Sequence, residues 1–299
     1  MTAVTPGSDR PHWRCFYNES LPPLVSIIVP ARNEEASLGA CLESLLAQQG
    51  VEFEIIVVDD ASTDRTRAIA ESFAPVRVIS PGPLAAGCSG KCNAVQAGAD
   101  VARGEWLLFT DADTVHLPGS LKRALDEARE HRADLLSYSP AQEVHGILER
   151  ALMTVIFSEL ASTYRPKDVS DPSSPAAAAN GQFLLITCAA YTAVGGHAAV
   201  ARTLLEDVAL AQAVKRSGRR LYFRYGGDMV RTRMYRDLPA LWEGWTKNLA
   251  LLFPQTLRLA ALRGIEFLLA AVGIVAIAVG LFLHQPLISG VGLMIAVPT

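Results

Sequence analysis

Through the first half of the chain, continuous apolar runs alternate with segments of helical spacing. "LVSIIVPA" (24–31) has no polar alternation, the pattern of a strand buried on both faces of a parallel sheet. In "NEEASLGACLESLLAQQ", Leu38, Cys41, Leu42, Leu45 and Leu46 recur at helical spacing behind acids that favour a helix start. "EFEIIVVDD" predicts a second strand, and "STDRTRAIAESFA" a second helix capped by Ser62, Thr63 or Asp64. "VRVIS" predicts a third strand, "SGKCNAVQAGADVA" a third helix, and "EWLLFTDAD" a fourth strand. "PGSLKRALDEAREH" predicts a helix starting near Pro118. Short alternation of strand and helix means an α/β domain with a mostly parallel sheet.

The second half is less regular. "GILERALMTVIFSELAS" reads as a helix, and "YRPKDVSDPSSPAAAAN" as a Pro/Ser/Ala loop with the composition of a mobile flap. "GQFLLITCAAYTAVGGH" predicts a strand entering a helix. "LLEDVALAQAVKRSG" predicts a helix opening at Glu206 and Asp207 and ending at Gly218, and "RLYFRYGG" a further strand. "DLPALWEGWTKNLALLF" is amphipathic with two tryptophans, Trp242 and Trp245, suited to a membrane interface. Residues 265–283 are apolar but for one acid and long enough to cross a bilayer. His284, Gln285 and Pro286 break that run, and the apolar stretch 287–297 is too short to span alone. The expected organisation is an arm over 1–23, a catalytic domain over 24–248, an interfacial segment over 249–264 and a transmembrane region over 265–299.

Composition sharpens this picture. Hydrophobic residues make up 50% and charged residues 19%, and the apolar tail accounts for the imbalance. A net charge of −3 gives no overall field for nucleic acid. Between Arg202 and Arg263 stand 12 Lys/Arg against 5 Asp/Glu, a local excess suited to anionic lipid or a phosphorylated substrate. Lys247, Arg258 and Arg263 precede the span, which favours a cytoplasmic catalytic domain at the cell membrane. The N-terminal segment has no apolar signal region. Five irregularly spaced cysteines suit reduced thiols, and Cys88 and Cys92 lack the partners of a zinc site.

Candidate chemistry gathers at strand ends, where open α/β sheets bind ligands. Arg32, Asn33 and Glu34 follow the first strand, Asp59 and Asp60 the second, and Asp111 and Asp113 the fourth. In an extended segment alternate residues point the same way, so the last two carboxylates can converge on one point. Converging carboxylates repel unless a positive group lies between them, and a hard divalent cation, Mg²⁺ or Mn²⁺, suits them best. Asp207 and Glu206 are candidates for a general base, although a helix N-terminus favours acids in any case. His116 stands near the acidic pair, and Arg231 and Arg233 could meet a diphosphate, a lipid headgroup or only water.

The ordered set "VSIIVPARNEEASLGACLESLL", "EIIVVDDASTDRT", "GKCNAV", "WLLFTDAD" and "LLEDVALA" resembles the family 2 glycosyltransferases of the GT-A fold over residues 24–248. With the tail, it looks most like membrane-anchored members that glycosylate lipids, such as the carotenoid-acid (staphyloxanthin-type) and hopene-associated enzymes. The resemblance implies a GT-A (Rossmann-like) sheet flanked by helices, a nucleotide-sugar donor, most simply a UDP-sugar, and a lipid-like acceptor. It implies that Pro30, Ala31 and Glu34 line the nucleotide pocket, that Asp59 and Asp60 hold base and ribose, and that Lys91 reaches the nucleotide. By the same resemblance Asp111 and Asp113 form the D-x-D that holds metal, Gly181 and Gln182 lie near the sugar and acceptor, and Asp207 is the catalytic base. Processive relatives carry Q-x-x-R-W on an interfacial helix. Here "EGWTKN" stands at about that place, which argues for single sugar transfer.

Two other readings compete. "LLFTDADT" fits the signature of haloacid-dehalogenase phosphatases, with Asp111 as nucleophile, but it arrives after three strands instead of opening the domain. A membrane module that binds nucleotide sugar or lipid without catalysis would need the carboxylates but not Asp207.

Overall fold

The computed structural model describes residues 24–84, 88–144, 146–233, 238–253 and 256–285. The expected arm over 1–23 and the apolar run 287–297 lie outside the described residues. The described residues fall into two compact units, one reaching residue 236 and one comprising the C-terminal helices.

The first unit begins β1 (Leu24–Ala31), α1 (Leu38–Leu46), β2 (Glu52–Asp59), α2 (Thr66–Glu71), β3 (Val76–Ile79), α3 (Gly90–Asp100) and β4 (Trp106–Phe109). It continues β5 (Thr114–His116), α4 (Ser120–Glu130), β6 (Leu135–Ser139), β7 (Ala141–Gln142), α5 (Ile147–Thr163) and α6 (Pro166–Ser170). It closes with β8 (Leu184–Thr187), α7 (Cys188–Ala193), α8 (Gly196–Val200), α9 (Glu206–Arg216), β9 (Leu221–Tyr225) and β10 (Val230–Thr232). The predicted elements recur in order, with shifts of a few residues at their ends. The second helix starts at Thr66, where Asp64 accepts the Thr66 N–H at 2.9 Å.

Seven strands form one sheet in the order β3-β2-β1-β4-β8-β6-β9. All its pairings are parallel except those of β8, which runs antiparallel to both β4 and β6. The apolar runs explain the inner positions, since Ile27, Ile28, Ile56, Val57 and Leu108 are wholly buried. Helices cover both faces and divide the core into two clusters, one under α1 and α4 and one under α3 and α9. On the second face α3 approaches β1 closely, because a Cβ on Gly98 would fall 2.5 Å from Ile28 Cγ2. The chain leaves β1 toward β2 and β3, then returns to place β4 on the other side of β1. That reversal opens a crevice at the carboxyl ends of β1 and β4.

A small sheet, β5-β10-β7, stands beyond β4 and was not legible as strands in the sequence. The Pro/Ser/Ala loop is not a free flap. It contains α6, Ser170 Oγ accepts the N–H of Phe223 at 3.0 Å, and Lys215 of α9 donates to the carbonyls of Val169 (2.7 Å) and Ala176. Cys41, Cys88 and Cys92 are free thiols.

The second unit holds α10 (Leu238–Leu252) and α11 (Thr256–Phe282). Helix α11 runs unbroken through Arg258, Arg263 and Glu266, so the expected boundary at 265 does not mark a change of structure. Its stretch Leu257–Phe282, 26 residues that include an 18-residue window of mean hydropathy 2.6, is long and apolar enough to cross a membrane. At 1.5 Å per residue it is about 39 Å long, against about 30 Å for a hydrocarbon core. On α10, Trp242 is exposed and Trp245 is buried.

Candidate active site

The loops after β1 and β2 are knitted together. Asn33, at a φ of 57°, donates its N–H to Ser62 Oγ (3.1 Å) and accepts the Thr63 N–H at 2.8 Å. Glu34 donates its N–H to Thr66 Oγ1 at 2.7 Å. The polar residues that close β1 therefore hold one wall of the crevice in a fixed shape. That wall and the turn after β4 enclose a cleft of about 330 Å³, lined by Pro30, Ala31, Glu34, Asp60, Lys91, Asp111 and Asp113 among others.

Most of the residues expected at a site meet here. Asp60 lies on the cleft wall and pairs with Arg32 at 3.5 Å. Asp59 does not reach the cleft wall. It is buried behind it, 3.6 Å from Arg67 Nη1, and its carboxylate accepts the Ser62 N–H. Strand β4 ends at Phe109, and residues 111–114 form a turn closed by a Thr114 N–H to Asp111 carbonyl bond of 3.2 Å. The acidic pair is thus not extended as the alternation argument assumed, yet both carboxylates line the same cleft. Lys91 rises from the first turn of α3, whose N-cap Ser89 accepts the Cys92 N–H. Its Nζ stands 2.7 Å from Asp111 and 3.9 Å from Glu206.

A narrower recess opens beside this cleft and shares Pro30, Lys91 and Asp111 with it. Phe109, Gly181, Leu184, His197, Glu206 and Asp207 also line it. Asp207, in the first turn of α9, accepts the Gly181 N–H at 2.9 Å and the Val208 N–H at 2.8 Å. Gly181 thereby sits directly against the acid. Gln182 points elsewhere. It is buried and donates through Nε2 to Thr232 Oγ1 at 3.1 Å, while its carbonyl accepts from Thr110 Oγ1 at 2.9 Å. His116 is buried in the same region, 2.9 Å from Thr110 Oγ1, and does not line the cleft. Arg231 and Arg233 are exposed.

The electrostatics are those of clustered acids around one cation. Burial pushes Asp207 up to about 6, with Glu206 adding to the rise. Burial also raises Asp113, and the neighbouring charges of Asp111 and Glu34 raise it further. Burial opposes the charge on Lys91, but Asp111, Glu206 and Asp207 outweigh it and hold the ammonium well above its ordinary range. Burial pushes His197 down to about 3, so its imidazole is neutral. Among the described residues no group of three or more His, Cys, Asp or Glu could hold a metal. The protein offers the pair Asp111 and Asp113, which suits a hard cation completed by phosphate oxygens and water.

His197 was missed by sequence reasoning. Its available signal was the pair Gly195-Gly196 before it, with φ of 81° and 60°, a backbone that turns the ring inward.

Residues 26–184 match the description Glycosyl transferase family 2. The chain is similar to the 4,4'-diaponeurosporenoate glycosyltransferase of Staphylococcus aureus (strain MRSA252), 31% identical over 234 residues, covering 76% of this chain and 60% of that protein. It therefore spans about 60% of the length of the curated relatives it matches. Among solved structures it is similar to the mannosyltransferase PcManGT from Pyrobaculum calidifontis in complex with GDP-Man and Mn²⁺. The TM-score is 0.60 at 20% identity, over 80% of this chain and 65% of that one. It is also similar to S. aureus TarS 1–349 in complex with UDP-GlcNAc, with a TM-score of 0.51 at 19% identity, over 73% of this chain and 60% of that one. At these identities the solved structures bear on the fold, which is the glycosyltransferase GT-A architecture.

Proposed function

The chain belongs to glycosyl transferase family 2, and from that premise we propose that it is an inverting, metal-dependent enzyme. It transfers one sugar from a nucleotide sugar, most simply a UDP-sugar, to a hydroxyl or carboxyl of a membrane lipid-like acceptor. The observation that carries this reading is the meeting of Asp111, Asp113, Lys91 and Asp207 at the crevice between β1 and β4.

Pro30, Ala31, Glu34 and Asp60 form the wall against which the nucleotide lies. Asp111 and Asp113 would hold a Mg²⁺ or Mn²⁺, which when bound supplies Lewis-acid neutralisation of charge on the departing diphosphate. Lys91 presents a second positive charge to the same phosphates. Gly181 donates its N–H to Asp207, whose carboxylate takes the proton from the attacking acceptor group as general base. With Glu206 turned toward Lys91, Asp207 serves as the single base, which supports single displacement with inversion. Glu206 keeps Asp207 from becoming too weak a base by raising its proton affinity.

A lipid-like acceptor is supported by three observations. The similar S. aureus protein is named for a carotenoid acid. The C-terminal helix is long and apolar enough to span a bilayer. Within the catalytic unit itself, α5 leaves Ile147, Leu148 and Val155 exposed. These features together suit a catalytic unit held at the membrane surface.

The test is binding of UDP-glucose and other UDP-sugars to the detergent-purified chain, and release of UDP, with and without Mn²⁺. Metal-dependent binding that disappears in Asp113→Ala is the expected result. No nucleotide sugar bound under either condition would overturn the reading.

A further inference from the structure

His197 lies at the wall of the recess beside Asp207, is 4% exposed, and has no place in the chemistry above. Its ring is held edge-on to Phe109, with centroids 4.8 Å apart. Its Nδ1 lies 2.8 Å from the hydroxyl oxygen of Tyr191, which also accepts the His197 backbone N–H at 3.0 Å. Which nitrogen carries the proton follows from the neighbours. Gln96 donates through Nε2 to Asp100, and its Oε1 accepts the Ala198 N–H at 3.0 Å, so the orientation of the amide is fixed twice. The Tyr191 oxygen stands 3.1 Å from that Oε1. Two oxygens at that distance need a proton between them, and Tyr191 holds the only one. Tyr191 therefore donates to Gln96, and His197 Nδ1–H donates to Tyr191. The Nε2 of a neutral imidazole in this tautomer is a bare acceptor.

That acceptor has no partner among the described residues, and it is not one of the atoms sealed in the core. The recess it borders has a volume of about 10 Å³, room for one water-sized polar group and not for a sugar ring. With Nδ1 committed to Tyr191, Nε2 is the polar atom His197 can offer to the recess it lines, and so small a space is matched by a single hydroxyl. Because the recess shares Lys91 and Asp111 with the diphosphate cleft, the sugar joined to that diphosphate is the group placed to reach it.

We propose that His197 is a specificity-determining residue, accepting through Nε2 a hydrogen bond from one hydroxyl of the donor sugar. The proposal rests on the nucleotide-sugar reading, and its test separates the two. UDP, UDP-glucose and the four UDP-deoxyglucoses are titrated into the Mn²⁺-loaded full chain in detergent, without acceptor. His197→Asn keeps a donor for Tyr191 but ends short of Nε2, whereas His197→Gln places an oxygen near that position. In the wild type one deoxy analogue should bind roughly tenfold more weakly than UDP-glucose. In His197→Asn, UDP-glucose should fall by the same factor and that analogue no further, with UDP unchanged. His197→Gln should recover most of the loss. Equal loss for every sugar in His197→Asn, or no loss, with UDP still bound, would overturn the assignment alone. Failure of the wild type to bind UDP would overturn the nucleotide-sugar reading and this inference with it. Should His197→Asn not fold, the ¹⁵N spectrum of histidine-labelled wild type decides. The Nε2 signal of an Nδ1-protonated ring should move with UDP-glucose and not with UDP, and an Nε2-protonated ring would refute the assignment.

Discussion

Replacing Lys91 by methionine removes the one cation set among Asp111, Glu206 and Asp207 and keeps most of the side-chain volume. The consequence for the base can be worked from Gly181. A Cβ there would lie 3.7 Å from Lys91 Nζ and 3.8 Å from Asp207 Oδ2, so the two charged atoms are no more than about 7.5 Å apart. Coulomb attraction over that distance is about 2 kcal/mol at an effective dielectric constant of about 20. The Lys91 side chain is 44% exposed, and solvent screening of such a group brings this to about 1 kcal/mol, or about 0.7 pK unit. Asp207 must be ionised to accept a proton, so the wild-type rate should fall as pH drops through about 6. Losing the cation disfavours the carboxylate, so in Lys91→Met the acidic limb should move up, to between about 6.5 and 7. The assay is kcat/KM for UDP release against pH at saturating Mn²⁺, with Lys91→Arg as the variant that restores the limb. An acidic limb that stays in place or moves down in Lys91→Met, while UDP still binds, would refute the reasoning.

Gly98→Val should destabilise the fold without touching the cleft, because its Cβ would meet Ile28 Cγ2 at 2.5 Å and Val58 Cγ2 at 3.0 Å in a packed core. A cost of about 3 kcal/mol would lower the melting temperature by roughly 6–12 °C. Lys215→Met should free the loop over 171–180, seen as faster proteolysis there and a melting temperature lower by roughly 3–8 °C, since three backbone carbonyls lose a charged donor. Asp207 and Asp113 both bind protons more tightly folded than unfolded, so their contribution to stability is present at low pH and lost as pH rises through their folded values. The buried neutral imidazoles of His116 and His197 act in the opposite sense over the same window, so the acids are read by difference: metal-free Asp207→Asn should gain melting temperature relative to the wild type more at pH 8 than at pH 5, and the reverse ordering would contradict this.

The apolar runs of β1, β2 and β4 were legible because inner parallel strands buried on both faces leave no alternation to misread. Of the polar residues that follow these strands, Arg32, Glu34, Asp60, Asp111 and Asp113 line the cleft. Strands of two or three residues such as β5, β7 and β10 carry too little pattern to be seen, and they exist because Thr114, Thr232 and their neighbours pair across distant parts of the chain. Gln182 shows a further limit. It follows Gly181 directly, yet its side chain turns away from the cleft to Thr232, a choice set by tertiary partners. Asp59 and Asp60 divide the same way, one buried against Arg67 and one on the cleft wall, because successive side chains at a strand end face opposite sides. His197 owes its place to Tyr191 and Gln96, and Gln96 lies about a hundred residues earlier in the chain.

Helix α9 carries Asp207 in its first turn and Lys215 in its last, eight residues or about 12 Å along one rigid rod. At one end the rod presents the base to the recess, and at the other it grips the loop that leads into Gly181. The two are therefore a single mechanical part, and a shift of α9 along its axis would carry the base and the loop in step. Grafting a different loop onto this scaffold to accept another lipid should leave the base in register only if the graft keeps the carbonyls that Lys215 clasps.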